Sequence, residues 1–208
     1  MNRSFAQVLS VLFHPLLMPT YLFYFILYQL PASAVYFPVQ SRWVVLVLVG
    51  ICTFVIPGLG AYAMVRAGWL RSMEMEERVQ RRQPLFFTGI CYGTTTYLFY
   101  RQPAFDALFY FVLGIITASV VLTFVISFFW KISAHSVGIG GTLGLLLWLN
   151  RTMPDTSLTI AILVTMLLAG ALLSARLSLN AHTPAQVYAG FCSGLLLALS
   201  AGAVGGVL

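Results

Sequence analysis

Arg176, His182 and Gln186 stand in one polar stretch, residues 176–186 (RLSLNAHTPAQ), between two long apolar runs. Imidazole can attack phosphorus or carry a proton, and guanidinium fits phosphate oxygens. Gln186 lies four residues beyond His182, so a helix opened by Pro184 would put both on one face. Thr183 is a good helix start and would leave the His182 ring beside unsatisfied N–H groups at the positive helix end. A histidine and an arginine at such an end suit a bound phosphate.

A second cluster, Lys131-Ile-Ser-Ala-His135, lies at another junction of apolar runs, with Ser133 placed to cap the helix that follows. Two histidines could divide phosphoryl transfer, one attacking phosphorus while the other protonates the leaving alkoxide. Arginine and lysine would stabilise charge on the phosphoryl oxygens. The third cluster, residues 74–84, carries Arg78, Arg81 and Arg82. It reads either as a solvated helix paired through Glu74 with Arg78 and Glu77 with Arg81, or as a loop turning Arg82 and Arg78 inward near Pro84. Lys131 alone could equally be an interfacial anchor. His14, in Phe-His-Pro-Leu-Leu-Met-Pro, reads as a structural residue of a kinked helix, and Asp106 and Asp155 are given no chemistry. No carboxylate accompanies the histidine clusters, so neither a carboxylate metal site nor a cofactor is expected.

The elements that would position these groups are membrane helices. Of 208 residues, 60% are hydrophobic and 8% charged, against roughly a quarter charged in soluble domains. The expected fold is all-α, a multi-pass transmembrane bundle in one domain over residues 1–208, sited in a bacterial inner membrane. Seven spans are expected, near residues 8–30, 43–65, 85–101, 106–130, 133–150, 157–175 and 184–206, or six if the hairpin at Arg101-Gln-Pro103 is half inserted. With seven, the three polar clusters share the N-terminal side of the bilayer. Charge bias makes that side cytoplasmic, but the bias vanishes once Arg78, Arg82, Lys131 and Arg176 are reserved for phosphate, so the orientation is undecided.

The net charge of +6 fits anionic lipid head groups as readily as an anionic substrate. No aromatic-interleaved basic patch suggests nucleic acid. Cys52, Cys91 and Cys192 fall in apolar runs and read as packing residues. The small residues Ala32, Ser33 and Ala34 look like a cleavage site, but the first segment is expected to be a retained membrane helix. Gly138, Gly140, Gly141 and Gly144, and the glycine-rich run from Gly190, read as surfaces for close helix packing.

Arg176, five residues, His182, three residues and Gln186 resemble the third signature of the type 2 phosphatidic acid phosphatase superfamily, where an aspartate stands in the place of Gln186. Ser133-Ala134-His135 resembles the second signature, and the stretch from Arg71 to Pro84 occupies the place of the first. The resemblance implies a metal-independent phosphatase or phosphotransferase acting on a membrane lipid phosphate. By it, His182 is the nucleophile that becomes a phosphohistidine, His135 the general acid, and Arg176 with Ser133 a phosphate clamp. Arg82 or Arg78 stands in for the first-signature arginine, and Lys131 replaces its lysine. Gln186 can accept the imidazole N–H but brings no charge to an imidazolium. Hydrolysis of a lipid phosphate monoester or pyrophosphate is the leading expectation. Transfer of the phosphoryl group between lipids, and a non-catalytic binder of phospholipid head groups, are the alternatives. The oligomeric state is not legible.

Overall fold

The structure is a computed structural model that describes residues 1–31, 35, 37–75, 77–153 and 157–204, with side chains to residue 200. Ala32, Ser33, Ala34, Glu76 and Asp155 therefore lie outside the described residues. The described chain is helical and contains no strand. Its α-helices are α1 (Arg3–Leu12), α2 (Met18–Gln29), α3 (Arg42–Gly50), α4 (Ile56–Arg66), α5 (Arg82–Arg101), α6 (Ala107–Ile126), α7 (Ala134–Thr152), α8 (Thr159–Ser178) and α9 (Pro184–Val204).

Among the described residues, three helices are long and apolar enough to cross a membrane: Val39–Arg66, Ala107–Ile126 and Thr159–Ser178, with mean hydropathies of 2.5, 2.5 and 2.1. The first runs through α3 and α4 without a break, joined by a π-helical turn at Ile51–Val55. These are three of the seven spans expected, and the first expected span is interrupted. Residues 8–30 do not make one helix: α1 ends at Leu12 and α2 begins at Met18. Pro15 and Pro19 cannot supply the backbone N–H groups that a continuous helix needs there. The Leu16 N–H turns instead to the His14 ring, 3.3 Å from Nδ1.

The chain divides into two compact units. One comprises Met1–Met18 and Lys131–Leu208, the other Pro19–Trp130. In the first, α7 and α9 run parallel and touch backbone to backbone. A Cβ on Gly140 or Gly144 would fall 2.2 Å from the Phe191 carbonyl oxygen or 2.7 Å from that of Leu195. A Cβ on Gly194 or Gly190 would fall 2.1 Å from the Val137 oxygen or 2.9 Å from that of Ser133. The four glycines thus form two interlocked GxxxG surfaces, the arrangement that lets helices approach where lipid supplies no hydrophobic force. Helix α8 packs against both, and α1 lies on α8 through Ala6, Leu9 and Ala175. Met18, Ile139, Ala169 and Leu172 form a second core cluster in the same unit.

In the second unit, α5 packs on α6 at ordinary side-chain distance, with Thr96 Oγ1 and Thr117 Oγ1 hydrogen-bonded at 3.0 Å. Phe99, Phe105, Phe109 and Phe37 make an aromatic stack beside Phe23. The buried Tyr92 hydroxyl donates to the Thr53 carbonyl at 2.9 Å. Thr53 lies within the π-helical turn, whose wider pitch displaces carbonyls from the regular ladder.

Candidate functional site

Two helix starts and one helix end form the site in the first unit. The spacing of Arg176 and His182 has a structural origin at the end of α8. Asn180 adopts a left-handed conformation (φ 53°), the Ala181 N–H returns to the Arg176 carbonyl at 3.2 Å, and the Asn180 N–H to that of Leu177 at 2.9 Å. This is a Schellman motif with asparagine in the position usually held by glycine. Arg176 is therefore in the last turn of α8, and His182 follows immediately after the stop.

Thr183 then starts α9. Its Oγ1 accepts the Gln186 N–H at 3.4 Å, while Gln186 Oε1 accepts the Thr183 N–H at 3.3 Å. Thr183-Pro-Ala-Gln186 is thus a capping box. The same Gln186 Oε1 lies 3.1 Å from His182 Nδ1, and the Lys131 carbonyl lies 3.2 Å from that nitrogen. Both are acceptors, so the Nδ1 proton points at them, and in the neutral ring Nε2 carries the lone pair. His182 is 8% exposed. Because Thr183 N–H already fixes the orientation of the Gln186 amide, the tautomer of His182 follows from the backbone of α9.

At the start of α7, Ser133 is fully buried and caps the helix, its Oγ accepting the Ser136 N–H at 3.4 Å and lying 2.9 Å from Ser136 Oγ. The Ser133 N–H reaches across to the Gln186 carbonyl at 3.4 Å, tying the two helix starts together. The Ser133 oxygen thus accepts twice from Ser136, which commits it to the first turn of α7. His135, in the first turn of α7, has Nε2 at 3.0 Å from the Ser10 carbonyl of α1. That acceptor fixes the His135 proton on Nε2, so any transfer to a leaving group would run through Nδ1.

Arg176, His14 and His182 all lie within electrostatic range of His135. The His14 ring stands edge-on to the His135 ring, with centroids 5.6 Å apart and planes at 81°. His14 and His135 thus both lie within electrostatic range of one guanidinium, and His182 lies within range of His135. His14 was legible only as a kink residue. The signal that could have placed it at the site was an ionisable group inside an apolar run, which at membrane depth points to function. Burial first, and then the charge of Arg176, hold the His14 imidazole below its usual pKa.

Arg78 and Arg82 belong to the second unit, where both turn to the segment that ends α6. Arg78 Nη1 donates to the Phe129 carbonyl, and the Arg82 guanidinium lies 4.6 Å from the centroid of the Phe128 ring. The solvated helix expected over this stretch is not formed. Met75 takes a positive φ of 46°, Glu77 pairs with the exposed Arg71, Arg81 Nε donates to the Met75 carbonyl at 3.0 Å, and regular helix starts only at Arg82. Among the described residues, no three His, Cys, Asp or Glu side chains cluster so as to hold a metal ion. No known family model, curated protein or solved structure matches this chain.

Proposed function

We propose that this protein is a phosphatase of membrane lipid phosphates, carried in a multi-pass bundle of a bacterial inner membrane and working through a phosphohistidine at His182. The observation that carries the reading is the pair of carbonyl oxygens at His182 Nδ1, 3.1 and 3.2 Å away, which reserves the lone pair of the neutral ring for Nε2. In the first step the Nε2–P bond forms and the ester P–O bond breaks, with the leaving alkoxide taking the Nδ1 proton of His135 in its imidazolium form, which leaves the neutral Nε2–H ring. In the second, water attacks phosphorus, His135 takes back a proton, and the Nε2–P bond breaks. Arg176, whose Nε is buried without a hydrogen-bond partner, would hold the phosphoryl oxygens, assisted by Lys131 and Ser133. Arg78 and Arg82, which belong to the other unit, are not assigned to this site.

The test is phosphate release from short-chain phosphatidic acid by the detergent-solubilised protein without added metal. His182→Ala should lower turnover at least about a thousandfold, as loss of a nucleophile does, and His135→Ala about a hundredfold. Equal rates in the parent and both variants would refute the assignment. A second reading, a head-group binder without turnover, is favoured by one feature: Gln186 Oε1 is uncharged and shared with the Thr183 N–H. It predicts lipid-phosphate binding by the parent protein with no release.

A further inference from the structure

Helix α1 and the link that follows it contribute polar groups that the lipid-phosphatase reading leaves unused. Ser10 is 7% exposed, and its hydroxyl is buried with no hydrogen-bond partner. Its own carbonyl is the acceptor that holds His135. Leu9, the residue before it, packs on Ala175, the residue before Arg176. Arg176 Nε, the next residue along, is likewise buried without a hydrogen-bond partner, and its charge acts on both His14 and His135. Two unsatisfied donors are costly in an apolar setting, and each calls for an acceptor.

His14 supplies a third donor. Its Nδ1 accepts the Leu16 N–H at 3.3 Å, so the proton of the neutral ring sits on Nε2, at the far edge from the chain. The ring is half-buried, packs against His135 and lies within electrostatic range of Arg176. A neutral imidazole N–H, a guanidinium within electrostatic range of it, and an unpartnered hydroxyl on the residue whose carbonyl holds His135 together match an acceptor-rich, negatively charged tetrahedral group.

We propose that Ser10 and His14 form a further wall of the anion site, donating from the Ser10 hydroxyl and His14 Nε2 to oxygens of a phosphate group held by Arg176. This rests on the reading of Arg176 as the phosphate clamp. It makes α1 part of the binding machinery and gives the chain a third site histidine.

The experiment measures binding of inorganic phosphate and, separately, of dioctanoyl phosphatidic acid to the full chain in detergent, by calorimetry, alongside turnover and unfolding temperature. His14→Asn keeps an acceptor for the Leu16 N–H but removes the distal donor, whereas His14→Gln returns an amide N–H to that edge. Ser10→Ala removes a hydroxyl that satisfies nothing in the fold. Ser10→Ala and His14→Asn should each weaken both ligands about tenfold, the loss of one hydrogen bond to a charged group. Unfolding temperatures should hold, and His14→Gln should recover most of the affinity. Similar parent affinity for the two ligands would assign the site to phosphate itself, and a tenfold preference for the lipid would assign it to a head group. Parent-like binding in both variants overturns the proposal while leaving turnover, and so the phosphatase reading, standing. So does a loss confined to the lipid ligand, or a fall in His14→Asn unfolding temperature that His14→Gln does not reverse. A parent that binds both ligands without releasing phosphate, and loses them on these substitutions, upholds this wall and refutes catalysis.

Discussion

The helix pairs α7/α9 and α5/α6 solve the same packing problem in opposite ways. In α5/α6 the glycines play little part: a Cβ on Gly89 or Gly93 would meet Val120 or Thr117 at 4.0 and 3.9 Å, ordinary contact. Threonine hydroxyls and aromatic rings fill the space. In α7/α9 the glycines remove the space altogether, and the backbones meet. The difference decides where chemistry can sit. Only the close pair lets the Ser133 N–H reach the Gln186 carbonyl, and only that reach sets the Lys131 carbonyl against the His182 ring. Close packing here is a positioning device, with a side-chain-free interface doing for two helix starts what a rigid loop does elsewhere.

The largest expected effect tests that contrast directly. Gly140→Val or Gly194→Val forces side chains into positions only about 2 Å from backbone oxygens and should cost roughly 1–3 kcal/mol or more, overpacking that the helices can relieve only by moving apart. Turnover should fall with it, because the His182 contacts depend on the approach. Gly93→Ala on α5 should leave both activity and unfolding temperature near parental. Equal behaviour of the two pairs would remove the contrast.

Next in size is a substitution at the site itself. Gln186→Glu keeps the reach of the capping box, places a carboxylate at a helix start where it is favoured, and gives the His182 imidazolium a charged partner. Turnover should rise about tenfold, a fraction of what a charged orienting group contributes in a serine protease triad. Gln186→Asp is one carbon shorter and should gain less. A fall in turnover for Gln186→Glu would argue for the binder without chemistry.

Smaller still is the cost of removing the hydroxyl contact in the looser pair. Thr96→Val should destabilise by about 0.5–1.5 kcal/mol, the range for a hydrogen bond between membrane helices, with turnover unchanged. Chemical denaturation in mixed micelles would read it.

The smallest effect separates the units by pH. The chain has three histidines, all of them in the unit that holds the site. The folded His14 pKa lies below 6.5, so as pH falls through 6.5 the unfolded chain takes up a proton first. Stability contributed by the neutral ring is then complete above that value and is lost progressively below it. Hydrogen exchange at pH 7.5 and 5.5 should show α1, α7 and α8 loosening in acid while α5 and α6 do not change, and His14→Gln should diminish the difference.

Much of the site's local structure was legible because it depends on short-range rules. Ser133 as a cap, Thr183-Pro184 as a helix start, and the shared face of His182 and Gln186 all follow from capping chemistry and a period of 3.6. What escaped is what depends on partners distant in sequence. Pro15 and Pro19 account for a break on their own, so nothing local marked His14 as the neighbour of His135, 121 residues away along the chain. The stop at Asn180 was readable in principle, but asparagine gives a weaker signal than glycine for a left-handed residue. The solvated-helix reading of the arginine-rich stretch fails because spacing by four implies pairs only in an α-helix, and only a short 3-10 turn at Val79–Arg81 precedes Arg82.

The interlocked glycines also bear on how such a chain is made. Helix α7 leaves the ribosome with its smooth side bare, and the matching strip on α9 is synthesised about fifty residues later, after the whole of α8. Until then α7 has the earlier α1 segment, α8 and neighbouring lipid to lean on, and His182 does not yet stand beside it. A translational pause or a slow insertion of α8 would leave that strip open to the equivalent strip of another nascent copy, so misassembly during biogenesis should concentrate at Gly140 and Gly144.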